Sequence, residues 1–130
     1  MRSATLLVLL AISAAAFSAV SNAARAQDSS AGEKTFNVCR ACHEIGNDAK
    51  NAVGPVLTGV VGRKAGTYPG YAYSDANRNS GITWDEATLQ EYLKNPRAKV
   101  PGTKMIFAGL RKDDDIVNVI AFLKQYSSNN

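Results

Sequence analysis

Cys39, Arg40, Ala41, Cys42 and His43 form a C-x-x-C-H run, and no other stretch constrains the chain as tightly. Two thiols lie about one helical turn apart, with an imidazole directly after the second. That spacing fits covalent haem attachment: each thiol adds across one vinyl group and the imidazole falls beneath the iron. The same five residues also fit a zinc half-site, a redox dithiol or a local structural pair. Structural zinc takes four Cys or His ligands. Beyond residue 26 the sequence offers three, Cys39, Cys42 and His43. A thioredoxin-type dithiol belongs in a βαβ setting, and none is readable here.

The N-terminal stretch supports the haem reading. Arg2 precedes an apolar run from Ala4 to Val20, and Ala24-Arg25-Ala26 fits the A-x-A cleavage rule. Residues 1–26 are expected to be a cleavable secretory signal peptide, and residues 27–130 a single domain. A retained membrane anchor is the alternative, since the run is nearly long enough to span. No second apolar run of that length follows, so the expected product is soluble; its expected destination is the bacterial periplasm and its expected state a monomer. A domain this small buries only roughly 60–65% of its unfolded surface. With ten Gly and four Pro it is loop-rich. A buried haem would supply much of the missing apolar contact, so folding and attachment are expected to be coupled. The formal charge is +4, and Arg2 and Arg25 leave with the leader. No basic run with interleaved aromatics is present, which excludes nucleic acid as a partner.

The helices are readable from caps and periodicity. Ser30 and Glu33 form a capping-box pattern ahead of a helix through Phe36 and Val38 into Cys39 and Cys42. Glu44 to Thr58 reads as an irregular loop marked by Gly46, Asn47, Asp48, Asn51, Gly54 and Pro55, and a carbonyl in its Gly54-Pro55 turn is the expected acceptor for the free N–H of His43. A short helix is expected over residues 74–79, starting at Ser74 or Asp75. Thr83 and Glu86 form a second capping-box pattern. Its helix carries Leu89, Tyr92 and Leu93 and stops before Pro96. Residues 99–110 read as loop. Asp113, Asp114 and Asp115 open a last helix, on which Ile116, Val119, Ile120 and Leu123 form one apolar face.

The second axial ligand follows by elimination. The sequence holds one His, and Met105 is its one Met besides Met1. Bis-histidine ligation and a second haem of this type are therefore excluded. A lone Met is ordinarily core filler, but Met105 sits in a Gly/Pro-bounded loop and not on a helical stripe. His/Met is a standard cytochrome pairing, and the soft thioether favours Fe(II).

The chain from Cys39 to Leu123 resembles the class I cytochromes c, especially bacterial cytochrome c2 and its mitochondrial relatives. The resemblance rests on Cys39 to His43, Gly54-Pro55-Val56-Leu57, Gly62-Arg63, Tyr73 to Asn77, Gly81-Ile82-Thr83-Trp84, Asn95-Pro96, and Pro101 to Gly109. It implies an all-α fold of about four to five short helices and irregular loops wrapped around one covalently bound haem. The first and last helices would cross, with Gly32 and Phe36 near Phe122 and Leu123. It implies haem c joined through Cys39 and Cys42, with His43 and Met105 on the iron and the Pro55 carbonyl behind His43. Arg63, Tyr73, Ser74 and Trp84 would surround the propionates. Asn77, Tyr92 and Thr103 would form a polar network beside Met105 and a buried water.

The implied function is outer-sphere electron carriage, with no enzymatic reaction. The expected donor is a bc1-type complex, and the expected acceptor a terminal oxidase or a photosynthetic reaction centre. Lys50, Arg97, Lys99, Lys104, Arg111 and Lys112 are candidates for a basic docking rim around the haem edge. Val38 departs from the mitochondrial pattern, which presents Lys there. The competing class is a gas-binding or catalytic haem protein with Met105 unbound, although no second His is present to serve as a distal acid or base.

Overall fold

The structure is a computed structural model describing residues 26–127. The expected leader lies outside them apart from Ala26. The described chain forms α1 (Ser29–Phe36), a 3-10 turn (Cys39–Ala41), α2 (Asp75–Arg78), α3 (Glu86–Lys94), α4 (Pro96–Lys99) and α5 (Asp113–Lys124). The sole β feature among these residues is an isolated antiparallel bridge between Lys64 and Thr83. Long loops join the helices, as the Gly and Pro content requires.

The helix starts correct the sequence reading. Asp28, not Ser30, caps α1, and its carboxylate accepts from the Ser30 and Ala31 N–H groups at 2.9 and 3.0 Å. Asp85, not Thr83, caps α3 by accepting from Thr88 N–H at 2.8 Å. In both cases a carboxylate at the positive end of the helix prevails over a nearby hydroxyl. Thr83 is held instead in the bridge with Lys64. The first helix also ends earlier than expected. It stops at Phe36, and the chain re-forms as the 3-10 turn that carries Cys39. Pro96 ends α3 and starts another helix. Asn95 accepts from Ala98 N–H at 3.2 Å, and Pro96 fills the first position of α4, where its missing N–H costs nothing.

The core is built where α1 meets α5. Phe36 is fully buried, with its ring centroid 5.1 Å from that of Phe122. Gly32 permits the approach: a Cβ there would lie 1.9 Å from the Asn118 carbonyl oxygen. The ends of the pair are tied by Asp28 N–H donating to Asn118 Oδ1 at 2.9 Å and by Gln125 donating to Ser29 at 2.9 Å. α3 packs on α5 through Leu89, Leu93, Ile116 and Ile120, in one buried cluster with Trp84 and Tyr92. Among the described residues no helix is long and apolar enough to cross a membrane.

Gly32→Ala tests this contact. Alanine gains about 1 kcal/mol of helix propensity over glycine, but overpacking against backbone costs about 1–3 kcal/mol or more. A Cβ 1.9 Å from a backbone oxygen calls for the upper end of that cost, so the expected net loss is about 2 kcal/mol, or roughly 10 °C in Tm for a domain of this size. Thermal unfolding followed by circular dichroism measures it, and an unchanged or raised Tm would show that the helices part at no cost.

Candidate functional site

The α1–α5 pair and α3 form the floor of a cavity of about 460 Å³, and the long loops form its walls. Cys39 and Cys42 stand on one wall because the 3-10 turn projects there. His43 N–H donates to the Cys39 carbonyl at 2.9 Å, which fixes the imidazole directly beyond the turn. Burial pushes the Cys39 thiol up to about 11, partly offset by the Arg40 charge, so it stays protonated at neutral pH.

His43 is held from behind. Its Nδ1 lies 2.7 Å from the Pro55 carbonyl oxygen. A carbonyl only accepts, so Nδ1 carries the proton and Nε2 keeps its lone pair. Burial holds the imidazole below its ordinary pKa range, against the opposing pull of the Pro55 hydrogen bond, with Arg63 adding to the effect. Gly54 passes so close that a Cβ would sit 2.4–2.8 Å from three atoms of the ring. Asn51 Oδ1 accepts from Val56 N–H at 3.1 Å, and Asn51 Nδ2 donates to the Pro69 carbonyl at 3.0 Å. The turn behind His43 is thereby braced.

Met105 lines the same cavity from the loop after α4. The Tyr92 hydroxyl donates to its sulfur at 3.1 Å, and its own N–H donates to Thr103 Oγ1 at 3.2 Å. Burial raises the Tyr92 pKa, with a Thr103 hydrogen bond opposing, so the hydroxyl keeps its proton at neutral pH. The Tyr92 ring packs on Trp84 at 4.6 Å between centroids.

The polar residues gather along one edge. Arg63 donates to the carbonyls of Thr58 and Val56 at 3.1 and 2.9 Å. Its guanidinium lies 4.9 Å from the Tyr68 ring centroid. The Tyr73 hydroxyl accepts from Tyr68 N–H at 3.2 Å. Ser74 caps α2 by accepting from Asn77 N–H at 3.1 Å. Asn77 Oδ1 is buried with no protein partner, so an acceptor is left for a group inside the cavity.

All twelve residues singled out from the sequence line this one cavity: Cys39, Cys42, His43, Pro55, Arg63, Tyr73, Ser74, Asn77, Trp84, Tyr92, Thr103 and Met105. Sequence reasoning missed Asn51, Tyr68 and Lys104 as loop fasteners. The Lys104 ammonium reaches the Ala72 carbonyl and lies 4.4 Å from the Tyr71 ring centroid. No local pattern announces a contact over that separation. Among the described residues no group of three or more His, Cys, Asp or Glu side chains is arranged for a metal ion. The donors instead suit an apolar cofactor: two thiols, a neutral imidazole and a thioether around a mostly apolar cavity, plus an unanswered amide oxygen. That set fits haem.

The comparisons agree. The cytochrome c family model matches residues 29–127. The chain is 54% identical over 105 residues to cytochrome c2 of Blastochloris viridis, which covers 81% of this chain and 83% of that one. It is 60% identical over 96 residues to cytochrome c-550 of Bradyrhizobium diazoefficiens, covering 74% and 71%. Cytochrome cH from Methylobacterium extorquens has a similar structure, with a TM-score of 0.71 and 52% identity over 75% of this chain and 98% of that one. The structure of cytochrome c2 from Rhodospirillum centenum matches with a TM-score of 0.75 and 39% identity, covering 78% and 99%. Cavity, donor set and relatives lead to one conclusion: the chain belongs to the cytochrome c family, as a carrier of electrons on covalently bound haem and not an enzyme.

Proposed function

We propose that His43, through Nε2, and Met105, through its sulfur, would hold the haem iron in both oxidation states. The bound haem supplies a one-electron Fe(II)/Fe(III) couple. The observation that carries the reading is the double fixation of the donors. The His43 imidazole is set by a 2.7 Å contact to Pro55, and the Met105 sulfur by a 3.1 Å hydrogen bond from Tyr92. Donors held this firmly move little when charge changes. Arg63, Tyr73, Ser74 and Trp84 are assigned to the propionate edge, where buried carboxylates need charged or hydroxyl donors. Asn77 and Thr103 complete the polar set around Met105.

The reading extends to the cell. Residues 1–26 act as the export leader, and residues 27–130 work as a soluble monomer in the periplasm. A bc1-type complex donates the electron, and a terminal oxidase or a photosynthetic reaction centre accepts it. The C-x-x-C-H run together with the Ala24-Arg25-Ala26 site supports export.

Visible spectra of the purified holoprotein test the ligation. Low-spin bands that ignore CO after reduction are expected. Met105→Ala is expected to give a high-spin oxidised spectrum, CO binding on reduction and a lower potential. Wild-type protein that binds CO freely would mean that Met105 is not a ligand.

Tyr92→Phe tests the hydrogen bond to sulfur. A donor on the thioether withdraws density and disfavours Fe(III), so its loss should lower the potential. One hydrogen bond of about 0.5–1.5 kcal/mol corresponds to roughly 20–60 mV for one electron. Voltammetry measures the shift, and an unchanged or higher potential would show that the hydroxyl does not act on the sulfur.

A further inference from the structure

Three successive residues at the end of α3 hold the methionine loop and its exit. The chain leaves α3 at Asn95 and returns to it at Gly109 and Leu110. A helix end leaves its last carbonyls without partners inside the helix. The Leu93 carbonyl is answered from outside, by Leu110 N–H at 2.8 Å. One residue earlier, the Tyr92 hydroxyl donates to the Met105 sulfur at 3.1 Å. One residue later, the Lys94 ammonium lies 3.0 Å from Asp113 Oδ1 and ties the start of α5 to the same turn.

Gly109 lets this seam close. Its φ is +104°, in the region that favours glycine. A Cβ there would lie 2.2 Å from the Lys94 carbonyl oxygen and 2.8 Å from the carbonyl carbon. Both atoms are backbone at the end of α3, which packs on α5, so no side chain can swing aside to make room. Neither Gly109 nor Leu110 lines the cavity. Their effect on a group inside it passes through the loop that carries Met105.

We propose that Gly109 is a positioning residue for Met105: it lets the loop seat on the last turn of α3, and the sulfur leaves the iron when that seat opens. The inference rests on the reading of Met105 as an axial donor. Tyr92 fixes the side chain and Leu93 fixes the backbone, so sulfur and loop are referenced to one helical turn. That turn belongs to the buried cluster that includes Leu89, Leu93, Ile116 and Ile120.

Titration of the oxidised holoprotein with imidazole, followed in the visible spectrum, tests the proposal. Imidazole competes with the thioether for the iron, and its apparent affinity scales with the fraction of molecules whose sulfur has left. Gly109→Ala is expected to raise that affinity about tenfold or more, because the added methyl pushes the loop off its seat. Gly32→Ala strains the α1–α5 contact instead and controls for general destabilisation. Its affinity should stay within about twofold of wild type. A second measurement needs no variant. On saturation of the wild type with imidazole, the Leu110 amide should exchange with solvent about tenfold faster, while the Ile120 amide in the α1–α5 pair keeps its rate. A Gly109→Ala affinity equal to wild type, a rise matched by Gly32→Ala, or an unchanged Leu110 rate overturns the role of Gly109 alone. Should Gly109→Ala fail to fold, the Leu110 rate decides. A wild-type spectrum that is high-spin before imidazole is added overturns the Met105 reading and this inference with it.

Discussion

The contact between His43 Nδ1 and the Pro55 carbonyl fixes more than one ring. It sets the tautomer, leaves Nε2 as the donor, and holds the imidazole against Gly54. An imidazole free to rotate would present either nitrogen and carry no fixed basicity. The loop from Gly46 to Pro55 has no regular structure of its own. Its shape is instead imposed by side-chain fasteners, Thr58 with Gly46 and Asn51 with both Val56 and Pro69. The irregular wall and the ordered donor are therefore one construction.

The same economy governs the core. α1 has two turns and α5 little more than three, lengths at which an isolated helix is unstable in water. They persist because Gly32 lets the backbones close and because Phe36 is sealed against Phe122. The remaining apolar side chains, Leu57, Leu89, Leu93 and Val119 among them, serve both the core and the cavity wall. Their inner faces answer the polypeptide and their outer faces answer the cofactor. Protein core and haem pocket share atoms, which explains how so short a chain encloses so large a group.

Much of this was legible because the chemistry is local. The C-x-x-C-H run, the Pro at 55, the apolar stripe of α5 and the single loop methionine each declare themselves within a few residues. Helix starts were less legible because two candidate caps stood close together in each case. Asp28 has the extended backbone a cap needs, while Ser30 is already inside the helix. Thr83 was drawn away by a tertiary partner, Lys64. Pro96 was readable as a stop, but only the Asn95 side chain turns it into a start. The loop fasteners lie furthest from sequence reasoning. Lys104 and Ala72 are 32 residues apart, and neither residue type signals the other.

That last contact bears on how the molecule opens. Lys104 precedes Met105, and it joins the methionine loop to the stretch that carries Ala72 and Tyr71. Tyr71 in turn donates to the Val53 carbonyl at 2.7 Å, next to Gly54 and the histidine wall. Displacing the methionine loop would remove the Lys104 contacts to Ala72 and Tyr71. Side-chain contacts therefore link the methionine loop, the Tyr71 stretch and the histidine wall into one continuous run around the cavity, separate from the α1–α5 pair.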